Sequence, residues 1–173
     1  MPVPSHSDER TANRRWGRAR RGQRARGVVF FQRGTRYSAL GVLSLLGMIE
    51  VHIVQGGYNA EQFMVAFKTV VLPQLNAYPQ DHSVLILDNC PGLHQQLEMV
   101  QLVRARGARV EWLEPYDPEH NPIEIAFRTA KAFMRTERER LEHLPRRERL
   151  RQCLLRVNPA AARSHLRECG FDV

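Results

Sequence analysis

The sequence has few cysteines and no long hydrophobic run, and both absences limit the kind of protein it can be. Its three cysteines, Cys90, Cys153 and Cys169, have the spacing of neither a zinc site nor a disulfide framework, which indicates a reducing compartment. No apolar stretch is long enough to span a bilayer, and the first residues lack the hydrophobic segment of a signal peptide. We therefore expect an intracellular protein without a membrane partner.

Lysine is also scarce, since Lys68 and Lys131 are the only lysines among the 26 basic residues that give this chain of 173 residues a net charge of +8. The other basic residues are arginines, whose planar guanidinium groups suit phosphate oxygens. Much of the charge lies in residues 10–27, which we call the arm. The predicted nucleic-acid contacts of the arm are Arg14, Arg15, Arg18, Arg20, Arg21, Arg24 and Arg26. A solvated tail or a localisation signal would have the same composition.

After the arm, the hydrophobic pattern predicts strands first and then alternating helices and strands. Runs of β-branched and aromatic residues separated by glycines predict an antiparallel meander at 28–31, 37–47 and 48–57. Helical spacing predicts helices over 59–75, 94–107 and 121–144, strands over 83–89 and 108–115, and helical segments near the C-terminus. The expected fold class is α/β, with a mixed sheet and flanking helices. We divide the chain into the arm with the residues before it (1–27), a core (28–144) and a C-terminal helical segment (145–173).

Three local predictions depend on this pattern. Asn59 caps the helix over 59–75. In the helix over 94–107, Leu97, Val100 and Val103 face the core, and Gly107 ends the helix. Trp112 packs in the core as part of its strand.

Two acidic residues lie at positions where α/β folds commonly place active sites. Asp88 is at the carboxyl end of a predicted buried strand, where open α/β sheets bind ligands, and Glu124 lies one turn inside the helix after the next strand. Two ionised carboxylates that lie close together repel each other unless a cation joins them, and Mg²⁺ takes such oxygen ligands. A purely structural role is equally compatible with the sequence. Asn121 as N-cap, Pro122 in the first turn and Glu124 would form a capping box.

The run VLILDNCPGLH, an amphipathic helix, and then GARVEWLEPYDPEHNPIEIAFRTAKAFMR resemble the catalytic core of the mariner-type DDE transposases, which are DDE superfamily endonucleases. In that family the second acid is the aspartate of a strand-Asp-Asn motif, and the third is the glutamate of a Pro-Tyr-Ser-Pro-x-x-Asn-Pro-Ile-Glu motif. Asp88 and Glu124 match these acids at the family's separation. The resemblance continues through RRWG, Gly22, RYSALGVLSLLG and LPQLN, so that it covers most of residues 8–140.

The resemblance implies a ribonuclease H-like fold and cleavage or transfer of DNA strands at transposon ends. It implies two divalent ions, Mg²⁺ or Mn²⁺, with Asp88 and Glu124 as catalytic metal ligands. Asn89, His94 and Asn121 would stand in the shell around them, although Asn89 also suits a turn after the strand and His94 suits a helix cap. An intact parent protein would be a homodimer, located in the nucleus if its source is eukaryotic.

Two departures from the family pattern bear on activity. In the family, a first strand ending in Asp-Glu precedes the segment that matches Glu9, Arg10 and Thr11, and its aspartate is the first acid of the triad. Here the preceding segment is MPVPSHS, so we expect the first strand and its aspartate to be missing, with Asp8 as the nearest acid. We also expect the family's N-terminal helix-turn-helix region to be missing. Two hypotheses remain: a fragment of a two-metal-ion transposase, or an inactive relic that acts at most as a basic DNA-binding domain.

Overall fold

The computed structural model describes residues 4–7, 18, 20–24, 35–88, 96–114 and 120–173. An antiparallel three-stranded sheet has the order β1-β2-β3, formed by β1 (Pro4–Ser7), β2 (Tyr37–Ser44) and β3 (Gly47–Gln55). The turn between β2 and β3 needs Gly47, whose φ is +104°. The predicted hairpin is therefore confirmed, whereas the predicted strand at 28–31 lies outside the described residues.

The strand β1 corrects the expectation that no strand precedes the arm. It pairs antiparallel with β2, from Pro4 opposite Leu40 to Ser7 opposite Tyr37. Its sequence, PSHS, has no apolar pattern, so hydrogen bonding to the edge of the β2–β3 hairpin provides a reason for its pairing that the sequence pattern cannot reveal. Pro4 fits because proline is tolerated at the first residue of an edge strand.

The second half of the core is a parallel βαβ unit. Its elements are β4 (Val84–Leu87), α2 (Gln96–Ala105) and β5 (Arg109–Trp112), and β4 pairs with β5 from Val84 opposite Arg109 to Leu87 opposite Trp112. Before it, α1 (Ala60–Ala66) continues as a π-helical turn (Phe67–Val71) and a 3₁₀ turn (Leu72–Gln74), which together cover the helix predicted over 59–75. Gly107, with φ +76°, follows α2 as predicted.

Four helices complete the chain. They are α3 (Pro122–Thr136), α4 (Arg138–Leu141), α5 (Arg146–Leu155) and α6 (Pro159–Glu168). The predicted single helix over 121–144 is interrupted at Glu137, which separates α3 from α4. None of the helices in the described part of the chain combines the length and the apolar character needed to cross a membrane.

Two hydrophobic clusters lie on opposite sides of the strands. On one side, residues of β2 and β3 pack against α3 and α5, with Ile123 and Phe127 among the buried side chains. On the other side, Leu40, Leu85 and Leu87 pack with residues of α1 and α2. The alternation of side chains along a strand explains this division, since neighbouring residues face opposite layers.

Two predictions about individual side chains are wrong. Leu97 is 70% exposed, because the buried stripe of α2 is centred on Met99 and Val103 and Leu97 lies on another side of the helix. Trp112 is 39% exposed, since it ends β5, which among the described residues pairs with β4 on one edge only and leaves most of its residues exposed.

Candidate active site

Asp88 directly follows the last residue of β4, at the carboxyl end of the parallel pair. The pairing of the two strands continues up to this point, because the Leu113 backbone N–H donates to the Leu87 carbonyl oxygen at 2.9 Å. The Asp88 side chain is half-buried. Its backbone is therefore fixed by the sheet at the edge where parallel strands place ligand sites.

The packing of β4 indicates which layer Asp88 faces. Leu85 and Leu87 belong to the cluster with α1 and α2, whereas Ile86 packs against the cluster that contains Ile123 of α3. Because side chains alternate along an extended strand, the position of Asp88 corresponds to that of Ile86. Asp88 is two residues after Ile86, so it lies on the side of the strand that faces α3.

The beginning of α3 lies beside the same strand. Ile86 and Pro122, the first residue of α3, both line an apolar cavity of about 350 Å³. Val42 of β2 and Phe171 near the C-terminus line it too. The strand that leads to Asp88 and the helix that carries Glu124 are thus neighbours in space.

Glu124 is in the first turn of α3 and is half-buried. Its backbone N–H donates to the Asn121 carbonyl oxygen at 3.0 Å. Asn121 is the N-cap residue and Pro122 follows it, as predicted, but the Asn121 side chain makes no capping hydrogen bond. The predicted capping box is therefore wrong, and the structural role that remains for Glu124 is the weaker interaction of an acid with the helix dipole.

Asn121 itself is the most unusual polar residue of this region. It is only 1% exposed, and neither its Oδ1 nor its Nδ2 has a hydrogen-bond partner among the residues that the structure describes. Leaving a buried amide unpaired costs about 1–3 kcal/mol. Such an amide beside a first-turn glutamate suits a ligand or an ordered water, which is consistent with the predicted place of Asn121 in the shell around the acids.

Several other predicted site residues lie outside the described residues. These are Asn89, His94, Arg14, Arg15 and Arg26. The four arm residues that are described, Arg18, Arg20, Arg21 and Arg24, are all exposed. Among the described residues, no three His, Cys, Asp or Glu side chains are grouped as a metal site. A site built on Asp88 and Glu124 would therefore be a pair of carboxylates that needs a further ligand.

The C-terminal helices carry charge that the sequence analysis did not assign to any function. Five arginines stand in or just after α5, within the run RRERLRQCLLR: Arg146, Arg147, Arg149, Arg151 and Arg156. The signal that could have identified them is a second basic segment, comparable to the arm. The apolar residues of the same run have helical spacing, which by itself predicts only a helix.

Comparison with known proteins agrees with this architecture. The sequence profile of the DDE superfamily endonuclease family matches residues 5–145. The crystal structure of the Mos1 strand transfer complex superposes with a TM-score of 0.56 at 12% identity, over 98% of this chain and 54% of the Mos1 chain. The Mos1 mariner paired end complex with Mn gives a TM-score of 0.48 at 13% identity, over 96% of this chain and 54% of that chain.

The Mos1 comparison confirms the predicted fold class, a ribonuclease H-like α/β domain. This chain spans about half the length of the Mos1 chains that it matches. A search of curated proteins finds no match.

Proposed function

Since the chain belongs to the DDE superfamily endonucleases, we propose that it is part of a transposase that cuts and joins DNA strands with two divalent metal ions, Mg²⁺ or Mn²⁺. The observation that carries this proposal is the adjacency of the Asp88 strand and the Glu124 helix around Ile86 and Pro122.

The residues available fit a hard cation. Asp88 and Glu124 offer carboxylate oxygens, and Asn121 offers a buried amide oxygen without a partner in the described part of the chain. Oxygen donors of this kind are the ligands that Mg²⁺ takes in proteins. Asp88 and Glu124 would hold the ions, with Asn121 beside them. When bound, two such ions activate the attacking hydroxyl or water and stabilise the leaving oxygen of a phosphodiester.

The protein itself would contribute by holding the two acidic side chains in position. Asp88 is held at the end of a paired strand and Glu124 in the first turn of a 15-residue helix, so both backbones are rigid. The start of α3 carries the partial positive charge of a helix N-terminus, which favours an anionic phosphate. The arm would neutralise further backbone phosphates.

The source of a third acid is the other part of the proposal. Asp8 follows β1 directly, and β1 is paired with β2 in the same way as a first strand of the core would be. Asp8 lies outside the described residues, so its participation rests on this position in the sequence. The Asp8→Asn variant of the full chain should lose Mn²⁺ affinity if Asp8 supplies the third carboxylate.

The metal site can be tested by calorimetric titration of the full chain with MnCl₂ and MgCl₂. Asp88→Asn and Glu124→Gln should each weaken ion binding at least tenfold, since each removes a charged ligand, which corresponds to about 1.4 kcal/mol or more. Glu61→Gln is the matched control, because Glu61 is also an acid in the first turn of a helix, α1. Unchanged affinity in Glu124→Gln would remove the metal-ligand assignment of that residue.

A second candidate function is a catalytically inactive relic that retains DNA binding. The segment MPVPSHS, which lacks the Asp-Glu ending of the family's first strand, favours it. Cleavage of supercoiled plasmid in Mn²⁺ distinguishes the two: a fragment that keeps its chemistry nicks the plasmid and loses this activity in Asp88→Asn, whereas a relic binds the plasmid without nicking it.

Both candidate functions involve DNA, and transposon ends in particular. The active fragment would use this DNA as its substrate, and the relic would only bind it. The Mos1 structure that superposes with a TM-score of 0.56 is named for strand transfer, which supports the choice of DNA as the partner to test. A homodimer of the complete parent protein and a nuclear location in a eukaryotic source are part of the same proposal.

A further inference from the structure

Helix α5 exposes arginines on two sides of its buried stripe. The stripe consists of Leu150, Cys153 and Leu154. With 3.6 residues per turn, Arg149 and Arg156 lie to one side of the stripe, and Arg147 and Arg151 lie to the other. The arginines on the two sides contact different acidic residues, Glu137 on the first side and Glu50 on the second.

On the first side, two arginines share a single carboxylate. Glu137 Oε2 lies 2.6 Å from Arg140 Nε and 3.4 Å from Arg156 Nη1. The Arg156 guanidinium carbon also lies 5.1 Å from the centre of the Phe133 ring. Both arginines are largely accessible, with 65% of the Arg140 side chain and 42% of the Arg156 side chain exposed.

A third arginine belongs to the same group. Burial raises the pKa of the Cys153 thiol, and the charges that also act on this pKa are those of Arg156, Glu137, Arg140 and Arg149. All four charged groups therefore surround one point of α5. The Arg149 Nε is buried and has no hydrogen-bond partner in the described part of the chain. By helical geometry Arg149 lies on the same side of α5 as Arg156, so a third guanidinium group belongs to the side of the helix that carries this ion pair.

Glu137 lies where α3 meets α4, as the C-cap of the first helix and the N-cap of the second, so the two helix dipoles act on its charge in opposite directions. Its carboxylate is paired with Arg140 and Arg156. One carboxylate cannot satisfy three guanidinium groups, so the group retains an excess of positive charge and of N–H donors.

We propose that Arg140, Arg149 and Arg156, which we call the Glu137 cluster, bind phosphate groups of a DNA duplex backbone. This inference rests on the proposed function and adds to it a second DNA-contacting surface, remote in sequence from the arm. Guanidinium forks match phosphate oxygens in geometry as well as in charge. Glu137 holds two of the three forks in place and competes with the phosphate for them.

The arginines on the other side of α5 lie beside groups of the sheet. Arg151 Nη2 lies 3.7 Å from Glu50 Oε1 of β3. Burial has the largest influence on the pKa of His52, which it lowers, and on the pKa of Tyr58, which it raises. Arg147 lies close enough to both groups for its charge to lower each pKa as well. These arginines therefore face groups of the protein's own sheet, which is why the proposal is limited to the Glu137 cluster.

The test compares substitutions whose expected effects have opposite signs. Binding of the full chain to a short fluorescently labelled DNA duplex is measured by anisotropy over a range of salt concentrations. Arg140→Gln/Arg149→Gln should weaken binding and reduce the log–log salt slope by about 0.9 for each phosphate that is no longer bound, so by up to about 1.8. Glu137→Gln should strengthen binding, because it removes the competing carboxylate while the neutral amide keeps the volume of the side chain.

The matched control is Arg104→Gln/Arg106→Gln, which removes the same charge from the exposed residues at the end of α2, in the opposite layer. Equal slopes for the two double variants would overturn the proposal, since net charge alone would then explain both. Unchanged or weaker DNA binding by Glu137→Gln would also overturn it. If the double variant fails to fold, Glu137→Gln decides alone. Loss of metal affinity in Glu124→Gln tests the proposed function separately, so each proposal can fail without the other.

Discussion

Asn59 and Asn121 occupy the same N-cap position of two helices, but only Asn59 caps its helix. The Asn59 side-chain oxygen accepts the Gln62 backbone N–H at 2.7 Å, and Gln62 Oε1 accepts the Asn59 backbone N–H at 3.2 Å. The Asn121 amide is buried and makes no bond of this kind. Asn59 thus caps its helix, whereas the Asn121 side chain has no hydrogen-bond partner among the described residues.

The two asparagines should respond differently to alanine. Asn59→Ala loses a complete capping box and should lower the free energy of unfolding by about 1 kcal/mol. Asn121→Ala removes a buried amide that has no hydrogen-bond partner in the described part of the chain, so its loss of stability should be smaller than that of Asn59→Ala, while its Mn²⁺ affinity should fall. Urea denaturation and calorimetry of both variants check this. A larger loss of stability in Asn121→Ala would mean that its amide has a partner in the folded protein.

Gly47 is the position where the fold leaves no room for a side chain. Its φ is +104°, and a Cβ built on it would collide with the Val157 carbonyl oxygen, which accepts the Met48 N–H at 2.9 Å. Gly47→Ala should therefore destabilise the protein by about 2 kcal/mol or more, from backbone strain and the disturbed hydrogen bond together.

Gly56→Ala is the control for Gly47→Ala. Gly56 has a φ of +85°, but nothing lies within 4 Å of the position that a Cβ would take, so only the strain of about 1–2 kcal/mol remains. Thermal unfolding of both variants isolates the effect of the Val157 carbonyl. Equal losses of stability would show that the carbonyl moves away at no cost.

The elements that sequence reasoning located correctly are those fixed by local periodicity. The β2–β3 hairpin follows from alternating runs around Gly47, and α3 follows from Ile123, Phe127, Ala130 and Met134, all of which are buried. The motif spacing also indicated the family and, with it, the candidate acids Asp88 and Glu124. These features depend on residues close together in the chain or on a pattern specific to one family.

The features that sequence reasoning missed depend on tertiary contacts. The capping-box motif at Asn121 is complete in the sequence, but a capping box forms only if the side chain turns towards the helix. The Asn121 side chain is buried in another orientation and makes no capping hydrogen bond. The pairing of β1 depends on the edge of β2 and not on its own residues. The ion pair between Arg156 and Glu137 requires the end of α5 to lie beside the end of α3, which no local spacing reveals.

Two histidines, the buried His165 and the half-buried His52, make stability depend on pH. Burial lowers the pKa of His165, whose ring Nε2 lies 3.3 Å from Thr129 Oγ1; Glu168 raises this pKa and Arg128 lowers it, both to a smaller extent. Burial and then Arg147 lower the pKa of His52. Because the folded protein binds protons less readily than the unfolded chain, their contribution to stability is complete above the ordinary histidine pKa of 6.5 and is lost as the pH falls below it.

The pH effect can be assigned by substitution. His165→Gln should reduce the loss of stability between neutral and mildly acidic pH, measured by urea denaturation at each pH. His143→Gln is the control, since His143 is exposed. If both variants keep the slope of the unsubstituted protein, the titration of His165 does not contribute to it.

The exposed arginines of the arm should contribute to DNA affinity mainly through phosphate contacts. Replacing Arg18, Arg20, Arg21 and Arg24 with glutamine should weaken binding uniformly across DNA sequences and reduce the log–log salt slope by about 0.9 for each phosphate released. The Arg104→Gln/Arg106→Gln variant again controls for net charge. Because the arm and the Glu137 cluster are remote in sequence, we expect them to contact different phosphates, and their slope changes should then add when the substitutions are combined. A combined change no larger than that of the arm alone would mean that the two sets of arginines bind the same phosphates.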